Sequence, residues 1–307
     1  MVADFRRVIL ALGLLLPVPG HADPACLRFD SQAIAFSGTP QQQAACLLRY
    51  VPEMARLGKA PADVPEPLRS LVGTKVEIST ESLRGFLKAQ GISELDLGGA
   101  LNEPLARANS NAAEAPEATY FVIHDTSTPK LGTAPFPATM DSKDWSFNTL
   151  SHYRRGPLFT APGCVSSPHP ETQPVSHVVI NRLGESVSPV NFSTPWRATK
   201  FESEHDCRAK GLFLHVELVQ PRRSDTHEGK NNDYLAPQPG FTAGQYRRLA
   251  LVYVAASVRK GMWLVPSFHA PLDEGIPNGH DDPQHFELAT WVQTLAALLH
   301  EIQEPAR

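Results

Sequence analysis

Apolar residues recur along this chain at two different spacings, helical in the first hundred residues and strand-like afterwards. Thr39-Pro40-Gln41-Gln42 is a capping-box pattern with proline at the first helical position, and it predicts a helix through Ala44–Val51. Leu83, Phe86 and Leu87 make a second helical face that stops at Gly91. The stretch Asn102–Thr119, with Asn-Ser-Asn and Ala-Pro-Glu-Ala, reads as a linker or surface loop. Short β-like runs follow at Thr119–His124, Val175–Asn181, Gly211–Val219 and Met262–His269, and a long proline-rich loop joins Asp125 to Gln173. Thr242-Ala-Gly-Gln245 caps a helix with Tyr246, Leu249, Ala250, Tyr253 and Val254 on one face, ended by Arg259, Lys260 and Gly261. A last helix is expected from about Pro283 to Ile302, with Leu288, Trp291, Val292, Leu295, Leu298 and Leu299 inward. Strands mixed with helices in this order predict an α/β domain built on one sheet.

Composition bounds the function classes. With 42% hydrophobic and 20% charged residues in 307, the chain has material for a real core. Its formal charge of −4 argues against a nucleic-acid binder, because nothing in the total supplies the counterion-release contribution that such binding uses. Residues 1–22 read as a secretory signal peptide: Arg6 and Arg7, an apolar run from Val8 to Leu16, and a small-residue end at Ala22. The run is about half of the ~20 apolar residues a membrane span needs, so no integral membrane segment is expected after cleavage, and the location predicted is periplasmic or secreted. Four cysteines then remain, Cys26, Cys46, Cys164 and Cys207, an even number for an oxidising compartment. Three pairings are possible. Cys26–Cys46 with Cys164–Cys207 is favoured, since the first pair stays inside the segment without histidine, and closing that short loop is worth ~3 kcal/mol. Apart from His21 in the leader, all histidines fall at or after His124.

The common catalytic motifs are missing: there is no Gly-x-Ser-x-Gly elbow, no Gly-rich phosphate loop, no His-Glu-x-x-His helix and no activated-serine context. What stands out is polar chemistry placed in apolar strands. His124 ends the run Tyr120-Phe-Val-Ile-His124, as a cleft residue or a structural hydrogen-bonding one. In Phe213-Leu-His215-Val-Glu217-Leu-Val219, His215 and Glu217 share a face, and a carboxylate in so apolar a strand is either a buried general base or half of an ion pair with an arginine or His215. His269 ends a third run, and His280-Asp281-Asp282-Pro283 follows. Imidazole nitrogens plus one carboxylate, with a position left for water, make a catalytic zinc site. Asp282 before proline is also an N-cap signature, which leaves an oxygen free for ligation.

Residues from about 118 to 300 resemble the zinc-dependent N-acetylmuramoyl-L-alanine amidases of the type-2 family, whose fold is shared with peptidoglycan recognition proteins. The pieces are Phe121-Val-Ile-His-Asp-Thr-Ser127, Ser176-His-Val-Val-Ile-Asn-Arg-Leu-Gly184, His215-Val-Glu-Leu-Val219, Gln245-Tyr-Arg-Arg-Leu249, Ser267-Phe-His269 and Asp282-Pro283, in the family's order. The resemblance implies a central mixed β-sheet flanked by helices over 118–307; the residues before it read as a small, mainly helical domain over 23–105 and a linker over 106–117. It implies Zn2+ held by His124, His269 and Asp282, with Glu217 as catalytic base and His280 where the family often has an oxyanion-stabilising lysine. The substrate implied is peptidoglycan or a muropeptide, cut between N-acetylmuramic acid and L-alanine; a relative that only binds peptidoglycan is the alternative. Departures from the pattern are Trp196-Arg197 for the family's Trp-His, Gln284 for the glycine after Asp-Pro, and a long loop between His124 and His177. Asp281 or His280 is the alternative last ligand. His215 is expected to tune Glu217 or to pack, and His177 is left outside the site.

Overall fold

The computed structural model describes residues 26–303 apart from 54–55, 154–157, 161–162, 166, 170–171 and 228–233; the leader read at 1–22 lies outside them. The strands are β1 (Phe29–Asp30), β2 (Ala35–Phe36), β3 (Tyr120–Asp125), β4 (Val178–Ile180), β5 (Ser186–Val187), β6 (Phe213–Leu218) and β7 (Val265–Phe268). The helices are α1 (Pro40–Leu47), α2 (Leu68–Leu71), α3 (Thr80–Ala89), the single turn α4 (Ala108–Asn111), α5 (Lys200–Glu204), α6 (Ala243–Lys260), α7 (His269–Leu272) and α8 (Leu288–Gln303).

The main sheet has the order β5-β4-β6-β3-β7. Its neighbours run parallel except β5, which pairs antiparallel with β4 at the edge, so the sheet is mixed. Every residue of β3 and β6 is buried. Parallel strands covered on both faces are usually apolar throughout, which makes His124, Asp125, His215 and Glu217 the anomalies to explain. Register puts His124 opposite Glu217 and Val122 opposite His215. The pairing of β3 with β7 ends at Ile123 and Phe268, so His269 follows at the same end of the sheet. Three of the chemically active residues therefore meet at the carboxyl ends of parallel strands, where α/β sheets commonly bind ligands.

Helix α6 starts at a complete Thr242–Gln245 capping box and stops at Gly261, whose φ of 73° is the left-handed conformation that glycine takes without strain. It packs on α8 in one apolar cluster with β3, β6 and β7, and that cluster also takes in Leu47, Leu48, Leu68, Leu83 and Leu87 from the first hundred residues. Val179, Val187 and Val219 point to the other face of the sheet, where Trp145 covers them with Met140, Phe147, Leu150 and Tyr153 packed around. In the stretch read as a linker, Ala106, Ala108 and Ala118 are fully buried. Both favoured disulfides are present, Cys26–Cys46 and Cys164–Cys207, as suits an oxidising compartment. No helix among the described residues is long and apolar enough to cross a membrane.

Several boundaries differ from the expected ones for local reasons. Helix α1 keeps its predicted capping box but ends at Leu47, before Val51. The strand expected at 175–181 contracts to β4 because Asn181 Oδ1 accepts from the Leu183 and Glu185 amides and starts a turn. Helix α8 begins at Leu288, so Asp282 does not cap it. The Gln284 and His285 amides donate instead to Asp125 Oδ2 and Val51 O, tertiary partners that hold this stretch in a loop.

Candidate metal centre

His124, His269 and Asp282 form a buried group whose potential ligand atoms all lie within 4.8 Å of one another. The two Nδ1 atoms stand 2.9 Å apart. Asp282 Oδ1 is 3.0 Å from His269 Nδ1, and Oδ2 is 3.6 Å from His124 Nδ1. Two imidazole nitrogens and a carboxylate converging in a buried site suit a divalent metal that accepts nitrogen and oxygen donors. Of the candidates for the last ligand, Asp282 is the one in this group. His280 stays at the rim, with its side chain 60% exposed and Nδ1 3.9 Å from Asp282 Oδ1.

Each of the three is held from behind. His269 opens the short helix α7, and its Nε2 donates to Asp273 Oδ2 at 2.9 Å, one helical turn on. The Asp273 carboxylate also receives the amides of Phe201 and His280, tying α5 and the His280 loop to the same point. Asp282 Oδ2 accepts from the Asp125 amide at 3.0 Å. The Asp125 side chain pairs with buried Arg222 and receives the Gln284 amide, which clamps the loop carrying Asp282 onto the end of β3. His124 Nε2 lies 3.1 Å from His215 Nδ1. His215 is thus turned toward the first histidine of the group, in place of the expected tuning of Glu217.

Charge is unevenly spread among these groups. Burial drives the His124 imidazole well below its ordinary pKa, and the neighbouring His269 and His215 push the same way. Burial opposes a charge on His269 too, but the Asp282 and Asp273 carboxylates outweigh it and raise the pKa to about 10. In return, His269 holds Asp282 and Asp273 below the usual carboxylate range despite their burial. The raised pKa favours a proton on His269 within the group, which a metal ion would have to displace.

Glu217 occupies the neighbouring strand. Among the described residues its Oε2 is buried without a hydrogen-bond partner and no ion pair is formed, unlike the ion-pair half that the sequence left open. Burial first, then the Asp282 and Asp125 carboxylates, push its pKa well above the ordinary range. An unpartnered, proton-hungry carboxylate beside a metal-binding group is equipped to take a proton from water.

Sequence reasoning missed three supporting residues. Asp273 had a readable signal, four residues after His269 on what becomes a helical turn. Glu202 is legible only as the third residue of the Thr199 capping box, and Arg222 carries no local signal. His177 stacks on His215 with ring centroids 5.6 Å apart and planes at 13°. No protein-family model, curated protein or solved structure matches the chain.

Proposed function

We propose that this protein is a zinc-dependent N-acetylmuramoyl-L-alanine amidase, hydrolysing the amide between the lactyl group of N-acetylmuramic acid and L-alanine of peptidoglycan stem peptides. The observation that carries the reading is the buried His124–His269–Asp282 group with unpartnered Glu217 on the adjacent strand. The order of the pieces that resemble type-2 amidases supplies the substrate class. Zinc held by the three side chains would contribute Lewis acidity and favour ionisation of water near neutral pH. Glu217 takes the proton of the attacking water and returns it to the leaving amine. His280, at the solvent edge beside His269, would donate to the oxyanion that develops on the former carbonyl.

Digestion of purified peptidoglycan, with products read by mass spectrometry, tests this. Free stem peptides are expected, their release stopping with chelator and returning with zinc. Release of disaccharides or of cut stem peptides would contradict the bond assignment, and binding without release would favour a recognition module. Asp282→Ala is expected to abolish stoichiometric metal binding, measured by metal analysis after gel filtration.

A further inference from the structure

Behind His124 the structure holds one hydrogen-bonded imidazole and, beyond it, a buried carboxylate. His215 Nδ1 faces His124 Nε2, and on the far side of the same ring His215 Nε2 lies 3.3 Å from Glu202 Oε2. His215 and Glu202 are fully buried, and among the described residues neither His215 Nε2 nor Glu202 Oε1 has a hydrogen-bond partner, so a potential donor and a potential acceptor are both left unsatisfied. Oε2 receives the Ala198 and Thr199 amides and the Thr199 hydroxyl, so the remaining acceptor capacity of the carboxylate lies on Oε1. The plane of the His215 ring is set by His177, which stacks on it and whose Nδ1 accepts the His215 backbone amide at 3.0 Å. His177 Nε2 then donates to Thr194 O, so this supporting ring has one tautomer.

We infer that Glu202 and His215 form a relay that fixes the tautomer of His124 and presents its Nδ1 to a metal ion. The inference rests on the metal-centre reading above. Proton positions follow from it in one order only. An Nδ1 that binds metal has no proton, so the His124 hydrogen sits on Nε2 and is donated to His215 Nδ1. His215, accepting there, carries its own hydrogen on Nε2 and directs it at Glu202. The reverse order would protonate His124 Nδ1 and remove it from the ligand set. His215 is a positioning residue in this scheme, and Glu202 acts through it.

The test is zinc affinity of the full chain, measured by competition with a chromophoric chelator, with cobalt substitution as a spectroscopic check on ligand geometry. His215→Phe removes the acceptor for His124 and is expected to weaken zinc about 10- to 100-fold, the usual cost of losing such a partner. His215→Gln, which offers a carbonyl oxygen, is expected to recover most of that loss. Glu202→Gln keeps the Thr199 capping box, which glutamine also completes, and removes only the charge. It is expected to weaken zinc in the wild-type background and to have no further effect beside His215→Phe. Unchanged affinity in both His215→Phe and Glu202→Gln would overturn the relay while leaving the metal centre intact. Equal losses in His215→Phe and His215→Gln would also overturn it. A wild-type chain that binds no zinc or cobalt would instead overturn the metal-centre reading beneath it. Should His215→Phe fail to fold, the tautomers of the zinc-loaded wild-type chain, read by long-range 1H–15N NMR, decide instead, since a proton on His215 Nδ1 removes the relay.

Discussion

The two histidines of the metal group are supported in contrasting ways. His269 is oriented by Asp273, four residues on in the same helical turn, through one bond of 2.9 Å. His124 is oriented through His215 on the neighbouring strand and Glu202 on α5, contacts that span 91 residues in sequence for the first step alone. The short support is local and places a carboxylate directly against the ligand. The long one puts a second imidazole between ligand and carboxylate. That difference matches the charges: His269, flanked by Asp282 and Asp273, holds a proton in the absence of metal, whereas burial and the adjacent imidazoles keep His124 neutral. Metal uptake would accordingly release a proton on one side of the site and none on the other.

The largest expected effect lies outside both supports and shows that they concern binding, not turnover. Glu217→Gln should retain zinc at wild-type affinity and lose about 100- to 10,000-fold in turnover on muropeptides, the range for removing a general base. Wild-type turnover in that variant would remove Glu217 from the mechanism. Next in size, Asp273→Asn should weaken zinc about 10- to 100-fold by depriving His269 of its carboxylate. If it has no effect while Glu202→Gln does, the shorter support is the dispensable one and the comparison inverts. The smallest difference is in how the two supports shape the pH dependence. With its pKa raised from 6.5 to about 10, His269 must lose a proton to bind metal, so zinc affinity should rise about tenfold per pH unit until pH approaches 10. Titration calorimetry in buffers of different ionisation enthalpy would count the proton released. Asp273→Asn lowers the His269 pKa, so its affinity should level off at a lower pH, while Glu202→Gln should leave the slope unchanged. An equal change of slope in the two variants would mean that the supports do not differ in charge.

Much of the site's membership was legible in the sequence because its residues violate local expectation. A histidine at the end of an apolar run and a carboxylate inside one are conspicuous wherever strands are otherwise hydrophobic, and His124, Glu217 and His269 were found this way. Asp282 was found with them, but its role as an N-cap did not hold, because the amides of the following loop are committed to Asp125 and Val51 rather than to a helical turn. The supports were less legible in proportion to their sequence separation. Asp273 lies at helical spacing from its ligand, whereas the pairing of His215 with His124 needs the register of β3 and β6, and Glu202 needs α5 packed behind them.

By itself the sequence determined the capped helices, the apolar strands, the even cysteine count with its favoured pairing and the short set of polar residues that burial would make reactive. These follow from short-range chemistry: caps, periodicity, and the cost of a charge in an apolar run. Only the tertiary structure decided which nitrogen of each histidine faces the metal group and which carboxylate stands behind it. Those choices depend on strand order and parallel register, which bring residues a hundred positions apart within hydrogen-bond reach and leave no trace in the spacing along the chain.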